Sequence, residues 1–165
     1  MNKEDNVTES RCPGLQQLQH SSCELAAAGR RCIQIYSQRL MPRIYAQDCF
    51  INAVRRLLIG YAHARVQIIV CDAEAVAKSL HPLVSLAQQM TSKMEIRQRA
   101  EEFSGDQRSF LLVDGRSYLI RELWSDLESG RLSSVGSARS KEIAEDFVKI
   151  WENSPLALGL RRLSL

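Results

Sequence analysis

Acidic, basic and hydroxyl side chains follow the predicted strands at positions where a site could form. Asp72 comes directly after the apolar run VQIIVC, and Ser37 and Arg39 close an earlier strand-like run. Ligands of open α/β sheets bind beyond the carboxyl ends of the strands, so these three side chains are candidates for binding an anion or a partner. The alternative for Asp72, which we favour, is that its carboxylate caps the helix predicted just after it.

Three arginines, Arg97, Arg99 and Arg121, form a second candidate site for an anion or a partner. A guanidinium group presents a planar fork of donors that matches phosphate or carboxylate. Glu95 and Glu122 are close enough in sequence to pair with these arginines, which would leave an ordinary ion-paired surface. The ion-paired surface is the interpretation that we favour.

An enzyme acting on a phosphate or acyl ester is the alternative function for these residues. Asp72, Arg121 and Glu122 would form its site, because a carboxyl group that is desolvated can exchange protons near neutral pH. This hypothesis requires Asp72 and Glu122 to lie within hydrogen-bonding distance of one point. Their spacing in the sequence does not establish that.

The three histidines, His20, His63 and His81, are too far apart to show a metal-ligand spacing. His63 is expected on the surface at a helix end, and His81, before Pro82, is expected to cap or pack at a helix start. The chain contains no glycine-rich phosphate loop and no G-x-S-x-G nucleophile turn. We therefore expect neither a metal nor a cofactor.

The composition is that of one globular domain. The chain has 165 residues, of which 45% are hydrophobic and 25% charged, with a formal net charge of +3. A nucleic-acid-binding protein usually gathers a larger basic excess on one element, and here the arginines are scattered along the sequence, which argues against a nucleic-acid partner. The apolar runs are too short to span a membrane.

The cysteines and the N-terminal sequence predict a reducing, cytoplasmic location. Five cysteines form an odd set without a C-x-x-C pair, which argues against a disulfide framework or a zinc knuckle. The first ten residues, MNKEDNVTES, are polar and acidic, unlike a signal peptide.

The periodicity of apolar residues predicts the element order α-β-α-β-α-β-β-β-α, preceded by a disordered tail at 1–13. The domain then covers 14–165, with a C-terminal segment from about 155 that docks on it. A capping box at Ser21 and Glu24 begins the first helix, and Gly29 ends it. The other predicted elements are strands at 31–37, 66–72 and 93–99, a strand pair within 109–120, and helices starting at Asp48, Pro82 and Ser140, with a loop at 125–140. The helix from Asp48 has an apolar stripe at helical spacing, formed by Phe50, Val54, Leu57, Leu58 and Tyr61.

Strands separated by helices of this length require parallel crossovers, and the late strand pair adds antiparallel pairing. The predicted fold class is therefore α/β, with a single mixed β-sheet and helices on both faces.

The strand pair SFLLVDGRSYLI, with Asp114-Gly115 in its turn, carries a resemblance to a known family. The order of elements over about 31–152 resembles one half of the phospholipase D superfamily. In that family the matching stretch reads H-x-K-x4-D, followed by a strand and a G-S-x-N-like segment. The resemblance implies that the histidine attacks phosphorus, the lysine holds phosphate oxygens, and the serine and asparagine help to bind phosphate.

The spacing of this motif, counted from Asp114, places the family's reactive positions on other residue types. Gln107 stands at the histidine position, Ser109 at the lysine position, and the G-S-x-N positions hold Arg121, Glu122 and Trp124. A glutamine amide is not nucleophilic, and Ser109 has no base next to it in sequence. Glu122 would repel a phosphate. We therefore expect a degenerate site that does not cleave phosphodiesters.

A closer resemblance is to bacterial domains of unknown function that are similar to a catalytically empty phospholipase D half and that can be joined to an acetyltransferase domain. The residues that carry it are Ile35-Tyr36-Ser37, Leu40, Tyr45, His81-Pro82-Leu83, Trp151 and Arg161-Arg162-Leu163. No biochemical activity comes with this resemblance.

The predicted function is therefore interaction or ligand binding over the emptied cleft. The expected partners are a second copy of the chain, as in phospholipase D relatives that build one site from two copies, or an acetyltransferase-type partner. Trp124, near the predicted long loop, is expected to face such a partner.

Overall fold

The computed structural model describes residues 9–161, and within this range the chain forms seven β-strands and six α-helices. The strands are β1 (Ser10–Cys12), β2 (Cys32–Ser37), β3 (Arg65–Val70), β4 (Met94–Gln98), β5 (Ser109–Val113), β6 (Ser117–Arg121) and β7 (Gly130–Ser133). The helices are α1 (Leu15–Ala28), α2 (Pro42–Tyr45), α3 (Asp48–Gly60), α4 (Ala73–Lys78), α5 (Pro82–Gln89) and α6 (Ala138–Glu152). Two short 3₁₀ helices cover Glu101–Phe103 and Leu158–Leu160.

All seven strands of the described chain form one mixed sheet in the order β1-β7-β6-β5-β2-β3-β4. The strands β2, β3 and β4 are parallel, whereas β5 lies antiparallel to β2 and begins an antiparallel series that continues through β6 and β7 to β1. Helices pack on both faces. The predicted fold class is therefore confirmed.

A hydrophobic core lies on each face of the sheet. On one face, α1 packs against β5 and β6, α3 against β3 and α5 against β4. The buried stripe of α3 contains the predicted Phe50, Val54, Leu57 and Leu58. On the other face, α6 buries Ile143, Phe147, Ile150 and Trp151 against β5 and β6. Burial of each such side chain stabilises the fold by about 1.5–3 kcal/mol. Tyr61, predicted in the α3 stripe, is instead 42% exposed.

The predicted disordered tail is wrong for its last residues, because Ser10–Cys12 form the edge strand β1. Its three residues pair with β7, with Cys12 opposite Gly130. This pairing joins chain segments more than 100 residues apart, and no local pattern reveals it. A side chain at Gly130 would overlap the carbonyl oxygen of Cys12, so glycine is required for the close approach. Residues 1–8 lie outside the described part of the chain.

The first helix begins at Leu15, six residues before the predicted start at Ser21. Ser21 and Ser22 lie inside α1, where they are buried on the same face as Leu18 and Leu25. The hydroxyl of Ser22 donates to the carbonyl of Gln19, so burial leaves it satisfied. Because serine counts as polar in a periodicity argument, the buried stripe was hidden. The predicted end at Gly29 is confirmed.

The predicted loop at 125–140 contains the strand β7 and the start of α6. The N-cap of α6 is Ser137 and not Ser140: the Ser137 hydroxyl accepts the Ser140 N–H at 3.2 Å, and the Ser140 hydroxyl accepts the Ser137 N–H at 2.8 Å. The two residues thus form a reciprocal capping box. The predicted cap residue was the second member of this pair.

The chain contains a disulfide bond between Cys23 of α1 and Cys49 of α3, although the cysteine count argued against a disulfide framework. Cys12, Cys32 and Cys71 are thiols. The odd cysteine count excluded a fully paired framework but did not exclude a single bond between two packed helices.

Over the part that the structure describes, the C-terminal segment lies against the edge strand β4. The N–H of Gln98 donates to Pro155 at 2.9 Å, and Ala157 donates to Ile96 at 3.1 Å. Ala157 and Leu160 are buried. Arg162 and Leu163, named in the resemblance, lie outside the described residues. Between residues 9 and 161, none of the helices is both long and apolar enough to cross a membrane.

Candidate functional site

The ends of five strands meet at one edge of the sheet, which we call the rim. The carboxyl ends of β2, β3 and β4 lie there because the three strands are parallel and in register. The antiparallel partner β5 starts there, with Phe110 opposite Tyr36, and β6 ends there, with Arg121 opposite Ser109. The rim is therefore where the topology gathers the positions that the phospholipase D motif would occupy.

The structure brings together four of the degenerate motif positions, Gln107, Ser109, Arg121 and Trp124. The backbone N–H of Trp124 donates to the carbonyl of Gln107 at 2.8 Å. The guanidinium of Arg121 donates to the carbonyl of Trp124 and, at 3.3 Å, to the hydroxyl of Ser109. The spacing that the resemblance assigned to these residues thus corresponds to real proximity, but the contacts join them to one another and not to an open cleft.

Arg121 is buried, with 4% of its surface exposed, and forms no ion pair with any residue in 9–161. Burial lowers the pKa of its guanidinium, because the charged form loses hydration. Tyr45 reaches the same place from α2. Burial raises the pKa of its hydroxyl, and the Arg121 charge and a hydrogen bond with Ser109 only partly oppose this shift.

These groups do not constitute a nucleophile with a base. Tyr45 keeps its proton at neutral pH, since burial raises its pKa, and Ser109 receives a hydrogen bond from the permanent cation Arg121. An activated serine needs a neighbouring group that accepts its proton. Gln107, at the histidine position, is exposed and donates to the carbonyl of Ser104 at 3.1 Å.

The two remaining motif positions lie apart from this cluster. Asp114 sits in the β5–β6 turn at the opposite edge of the sheet, where its carboxylate accepts the backbone N–H groups of Arg30, Arg31 and Cys32 at 3.0, 2.7 and 2.9 Å. Glu122 is exposed and pairs with Arg139, not with Arg121. Asp114 therefore holds the start of β2, and Glu122 belongs to the surface.

On the face of the sheet that α6 covers, the rim carries a network of paired charges around Arg108. Its guanidinium binds Asp106 at 2.7 Å and Asp146 of α6 at 3.0 Å. Burial alone would raise the pKa of Asp106, but the hydrogen bonds and charge of Arg108 lower it overall. Arg99, a candidate for anion binding, donates to the hydroxyl of Tyr36 at 3.0 Å and to the carbonyl of Asp106 at 2.8 Å.

The other candidate residues of the rim also have internal partners. The Ser37 hydroxyl accepts the N–H of Leu40 at 3.0 Å, and Asp72 caps α4 by accepting the N–H of Ala75 at 3.0 Å, as the favoured alternative predicted. Arg39 pairs with Asp72 at 3.5 Å. These residues hold the loops that leave β2 and β3.

Arg97 is bound on two sides. Its guanidinium binds Glu95 at 2.8 Å, donates to the carbonyl of Trp151 at 2.7 Å and lies 4.1 Å from the centre of that indole ring. The pairing with Glu95 agrees with the ion-paired surface favoured from the sequence. Arg97 therefore fastens α6 to β4.

The geometry required by the enzyme alternative is not met. Asp72 follows β3 and Glu122 follows β6, and two strands, β2 and β5, lie between them. Neighbouring strands are about 4.8 Å apart, so the two positions are separated by about 14 Å. Each carboxylate also has its own partner, α4 or Arg139. The structure therefore does not bring the three residues of that hypothesis to one point.

His81 lies on the rim side of the molecule and is almost fully buried, at 1% exposure. Its Nδ1 accepts the N–H of Leu83 at 3.1 Å, which confirms the predicted capping role at the start of α5. Burial lowers the pKa of its imidazole, although the backbone of Leu40 opposes this. His81 and Leu40 thus bring together two segments of the closer family resemblance.

Two features of the rim were missed from the sequence. Tyr45 joins Arg121 from a helix more than 70 residues away, and no local pattern marks it. The Asp106–Arg108 pair could have been noticed, since opposite charges two residues apart before a strand point to the same side. Among the described residues, no three His, Cys, Asp or Glu side chains cluster as metal ligands.

The chain matches one protein-family model and a set of solved structures. A family model described as "Domain of unknown function (DUF7931)" matches residues 14–163. No curated protein matches the sequence of the chain.

Three of the solved structures that share the fold illustrate the likeness. NucT from Helicobacter pylori has a TM-score of 0.58 and 13% identity, over 90% of this chain and 97% of that chain. Nuc from Salmonella typhimurium, a phospholipase D family member, has a TM-score of 0.53 and 12% identity, over 82% and 87% of the two chains. TrmBL2, an archaeal chromatin protein that binds DNA, has a TM-score of 0.62 and 15% identity over 94% of this chain. The chain spans 56% of the length of TrmBL2. At these identities the likeness shows a phospholipase D-like fold.

Proposed function

Because the chain belongs to the DUF7931 family and has a phospholipase D-like fold, we propose that it is a non-catalytic interaction domain built on that fold. The rim is the surface through which it contacts its partner. The observation that carries this proposal is the state of Arg121, a cation at a motif position that is buried and bonded to Ser109 and Trp124.

Binding of a substrate phosphate at these positions would require donors that point outward. Arg121 directs two of its donor nitrogens to protein oxygens, and Arg99 and Arg108 do the same on the other face of the rim. A group that already has internal partners must break those hydrogen bonds to bind a ligand, at about 1–3 kcal/mol each. The rim is therefore better suited to rigid surface contact than to phosphoryl chemistry.

The segment that follows β6 provides apolar surface for such contact. Leu123 is 47% exposed and Trp124 is half-buried beside it. Aromatic residues are enriched at the centres of interfaces. We propose that a second copy of the chain covers this segment, giving a homodimer through the rim.

The absence of catalysis is tested with bis(p-nitrophenyl) phosphate and single-stranded DNA as phosphodiester substrates. We expect no turnover by the purified domain. A Ser109→Ala variant is assayed beside it, because Ser109 carries the one hydroxyl nucleophile among the clustered motif positions. Turnover by the wild type that is lost in this variant would contradict the proposal, whereas equal traces in both indicate a contaminating enzyme.

The homodimer is tested by light scattering during size-exclusion chromatography. Leu123→Asp places a charge in the proposed contact and should convert the dimer to a monomer. Val148→Asp is the matched control, since Val148 is similarly exposed, at 44%, but lies on the outer side of α6. A wild-type chain that is monomeric at every concentration contradicts the dimer and leaves the acetyltransferase-type partner as the occupant to test.

We also propose a cytoplasmic location, which the three thiols Cys12, Cys32 and Cys71 support. The Cys23–Cys49 bond opposes it, because cytoplasmic proteins rarely keep structural disulfides. Host cells are lysed directly in denaturant with the alkylating reagent, so that the buried Cys12 also reacts, and mass spectrometry then distinguishes the two. Five alkylated cysteines support the cytoplasm, and protection of Cys23 and Cys49 alone indicates an oxidising compartment.

A further inference from the structure

The edge of the sheet opposite the rim, which we call the amino edge, gathers five cationic residues from four separate segments. Its residues are Arg30, Arg31, Arg65, Lys93 and Arg116. The register of the sheet places them together: the N–H of Arg65 donates to Arg31 at 3.0 Å, and that of Val66 donates to Lys93 at 2.9 Å. Arg116 belongs to the turn whose Asp114 holds Arg30 and Arg31.

These cations form a row along the edge. They belong to the amino ends of β2, β3 and β4 and to the β5–β6 turn, so the row extends from β6 to β4. Four strand spacings of about 4.8 Å make it about 19 Å long. Each strand of B-form DNA carries one phosphate per 3.4 Å or so of helix axis, so a row of this length spans the axial rise of about five phosphates.

The cations of the amino edge have no acidic partners within residues 9–161. None of the five forms an ion pair there, and four of them are exposed while Lys93 is half-buried. The carboxylate of Asp114 is close, but it accepts three backbone N–H groups. Two of the five have backbone partners: Arg65 donates to the carbonyl of Ala64 at 2.8 Å, and Lys93 donates to that of Leu58 at 2.7 Å. Each of the five can therefore meet a phosphate without first losing a carboxylate.

The negative C-terminal ends of helices offset only part of the positive charge of the amino edge. The helices α1, α3 and α5 end at the amino edge, and each C-terminus carries about half a negative charge. Three such ends together with Asp114 offset roughly two and a half of five positive charges. A positive field therefore remains at the amino edge after these charges within residues 9–161 are counted.

Aromatic and amide side chains accompany the row. Tyr61, 42% exposed, and the exposed His63 lie in the connection from α3 to β3, immediately before Arg65. On the adjoining face of the sheet, Gln34 donates to Gln67 at 2.9 Å. Nucleic acids are bound by cations for the phosphates together with aromatic rings for the bases.

We propose that the amino edge binds the phosphate backbone of a nucleic acid, with Tyr61 stacking on a base of a single-stranded segment. An anionic membrane fits less well, because peripheral membrane binding relies on an amphipathic helix with a broad apolar face, and these cations come from loops and strand ends of a sheet edge. The proposal does not depend on the rim, which lies at the opposite edge and contacts its partner separately.

The test measures fluorescence anisotropy of labelled single-stranded and duplex DNA with the full chain, at several salt concentrations. For five phosphate contacts, the slope of log K against log salt should approach about −3.5 for single strands and about −4.5 for duplex. Binding that is undetectable at low salt for both DNA forms and for RNA would overturn the proposal. So would binding that does not weaken with salt.

Two triple variants locate the binding surface. The edge triple Arg31→Gln/Arg65→Gln/Arg116→Gln removes three cations of the row. We expect its affinity for DNA to fall about tenfold or more, and its slope of log K against log salt to become shallower by about 2 for single strands. Thermal unfolding confirms that the variant is folded.

The control triple Arg11→Gln/Arg43→Gln/Arg131→Gln removes three exposed arginines that lie elsewhere, so the net charge changes equally. It should bind DNA nearly as the wild type does. Equal weakening by both triples would overturn the proposal, because net charge alone would then explain binding.

Vesicles of phosphatidylserine and phosphatidylcholine form a third arm, included because Ile59, 70% exposed, lies near Tyr61. Binding to vesicles without binding to nucleic acid overturns the proposal. A Tyr61→Ala variant should weaken single-strand binding more than duplex binding. The outcome is independent of the rim, since neither Leu123→Asp nor Ser109→Ala alters the amino edge.

Discussion

The arginines at the two edges of the sheet differ in the partners that they contact. At the rim, Arg39, Arg97, Arg108 and Arg139 pair with carboxylates, and Arg99 and Arg121 donate to hydroxyl and carbonyl oxygens. At the amino edge, the row from Arg30 to Arg116 has no acidic partners among the described residues. Arg65 and Lys93 each donate to one backbone carbonyl, of Ala64 and Leu58. The arginines of the rim therefore contribute more to holding the fold, and the cations of the amino edge keep most of their donors free of protein partners.

The contacts at the rim are internal to the protein. Gln107, Ser109 and Arg121 lie together there, where the Arg121 guanidinium donates to Ser109 and the backbone carbonyl of Gln107 accepts the N–H of Trp124. Replacing an arginine that has contacts inside the protein changes the stability of the fold. Replacing an exposed, unpaired arginine changes mainly solubility or binding. Variants at the two edges should consequently separate stability from binding.

The largest effect on stability is expected from Asp114, which lies at the amino edge but binds backbone groups of the protein itself. Asp114→Ala removes three hydrogen bonds from backbone N–H groups and places alanine at a φ of 55°. We expect a loss of about 3 kcal/mol, measured by urea denaturation. Asp114→Asn, which keeps an acceptor oxygen and tolerates the left-handed backbone, should lose about 1 kcal/mol. Equal losses in the two variants would contradict this explanation.

The second effect compares an arginine of each edge directly. Arg108→Met leaves Asp106 and Asp146 without their cation, and the Arg108 and Asp106 side chains are only 17% and 18% exposed. We expect a loss of about 2 kcal/mol, somewhat below that for a fully buried pair. Arg65→Met, at the amino edge, should stay within about 0.5 kcal/mol of the wild type. A loss at Arg65 that matched the loss at Arg108 would remove the distinction between the edges.

A smaller effect is expected at Arg121, despite its deep burial. Arg121→Met removes a charge that is costly to bury, as its lowered pKa shows, and leaves no carboxylate unpaired. The costs are the lost hydrogen bonds to Trp124 and Ser109. We expect a loss below about 1 kcal/mol by urea denaturation. A loss as large as that of Arg108→Met would mean that the uncompensated charge is as valuable as a paired one.

Much of the fold could be predicted from local patterns, because its central elements bury continuous stripes. The run VQIIVC identified β3, and the spacing of Phe50 to Leu58 identified α3. The errors fall where burial depends on distant partners. The β1 and β7 strands exist because they pair with each other across the chain, and α1 buries serines that a hydrophobic pattern overlooks.

The two candidate sites also differ in whether local sequence patterns could predict them. Motif spacing placed Gln107, Ser109, Arg121 and Trp124 as one group, and the structure brings these four together. The amino edge was missed because its cations are far apart in sequence, from Arg30 to Arg116, and only sheet register collects them. The apparent scatter of arginines along the chain was therefore a poor guide to their distribution in space.

The smallest effect concerns His81, which supports the rim side of the molecule and has no counterpart at the amino edge. Its Nδ1 accepts the N–H of Leu83, so protonation there removes the cap of α5. Burial lowers its pKa from the ordinary value of 6.5. The unfolded chain thus binds this proton more readily than the folded one, and unfolding takes up a proton in the window below about pH 6.5.

Stability should therefore be complete above about pH 6.5 and decrease as the pH falls towards 5, a range in which carboxylates such as Asp106 stay ionised. Urea denaturation across this range measures the decrease. His81→Asn keeps an acceptor for the Leu83 N–H but does not titrate, so its stability should change less with pH. His63→Asn, at the amino edge and exposed, should follow the wild type. If His81→Asn also followed the wild type while His63→Asn did not, the acid-sensitive histidine would belong to the amino edge, and the assignment of structural charges to the rim would fail.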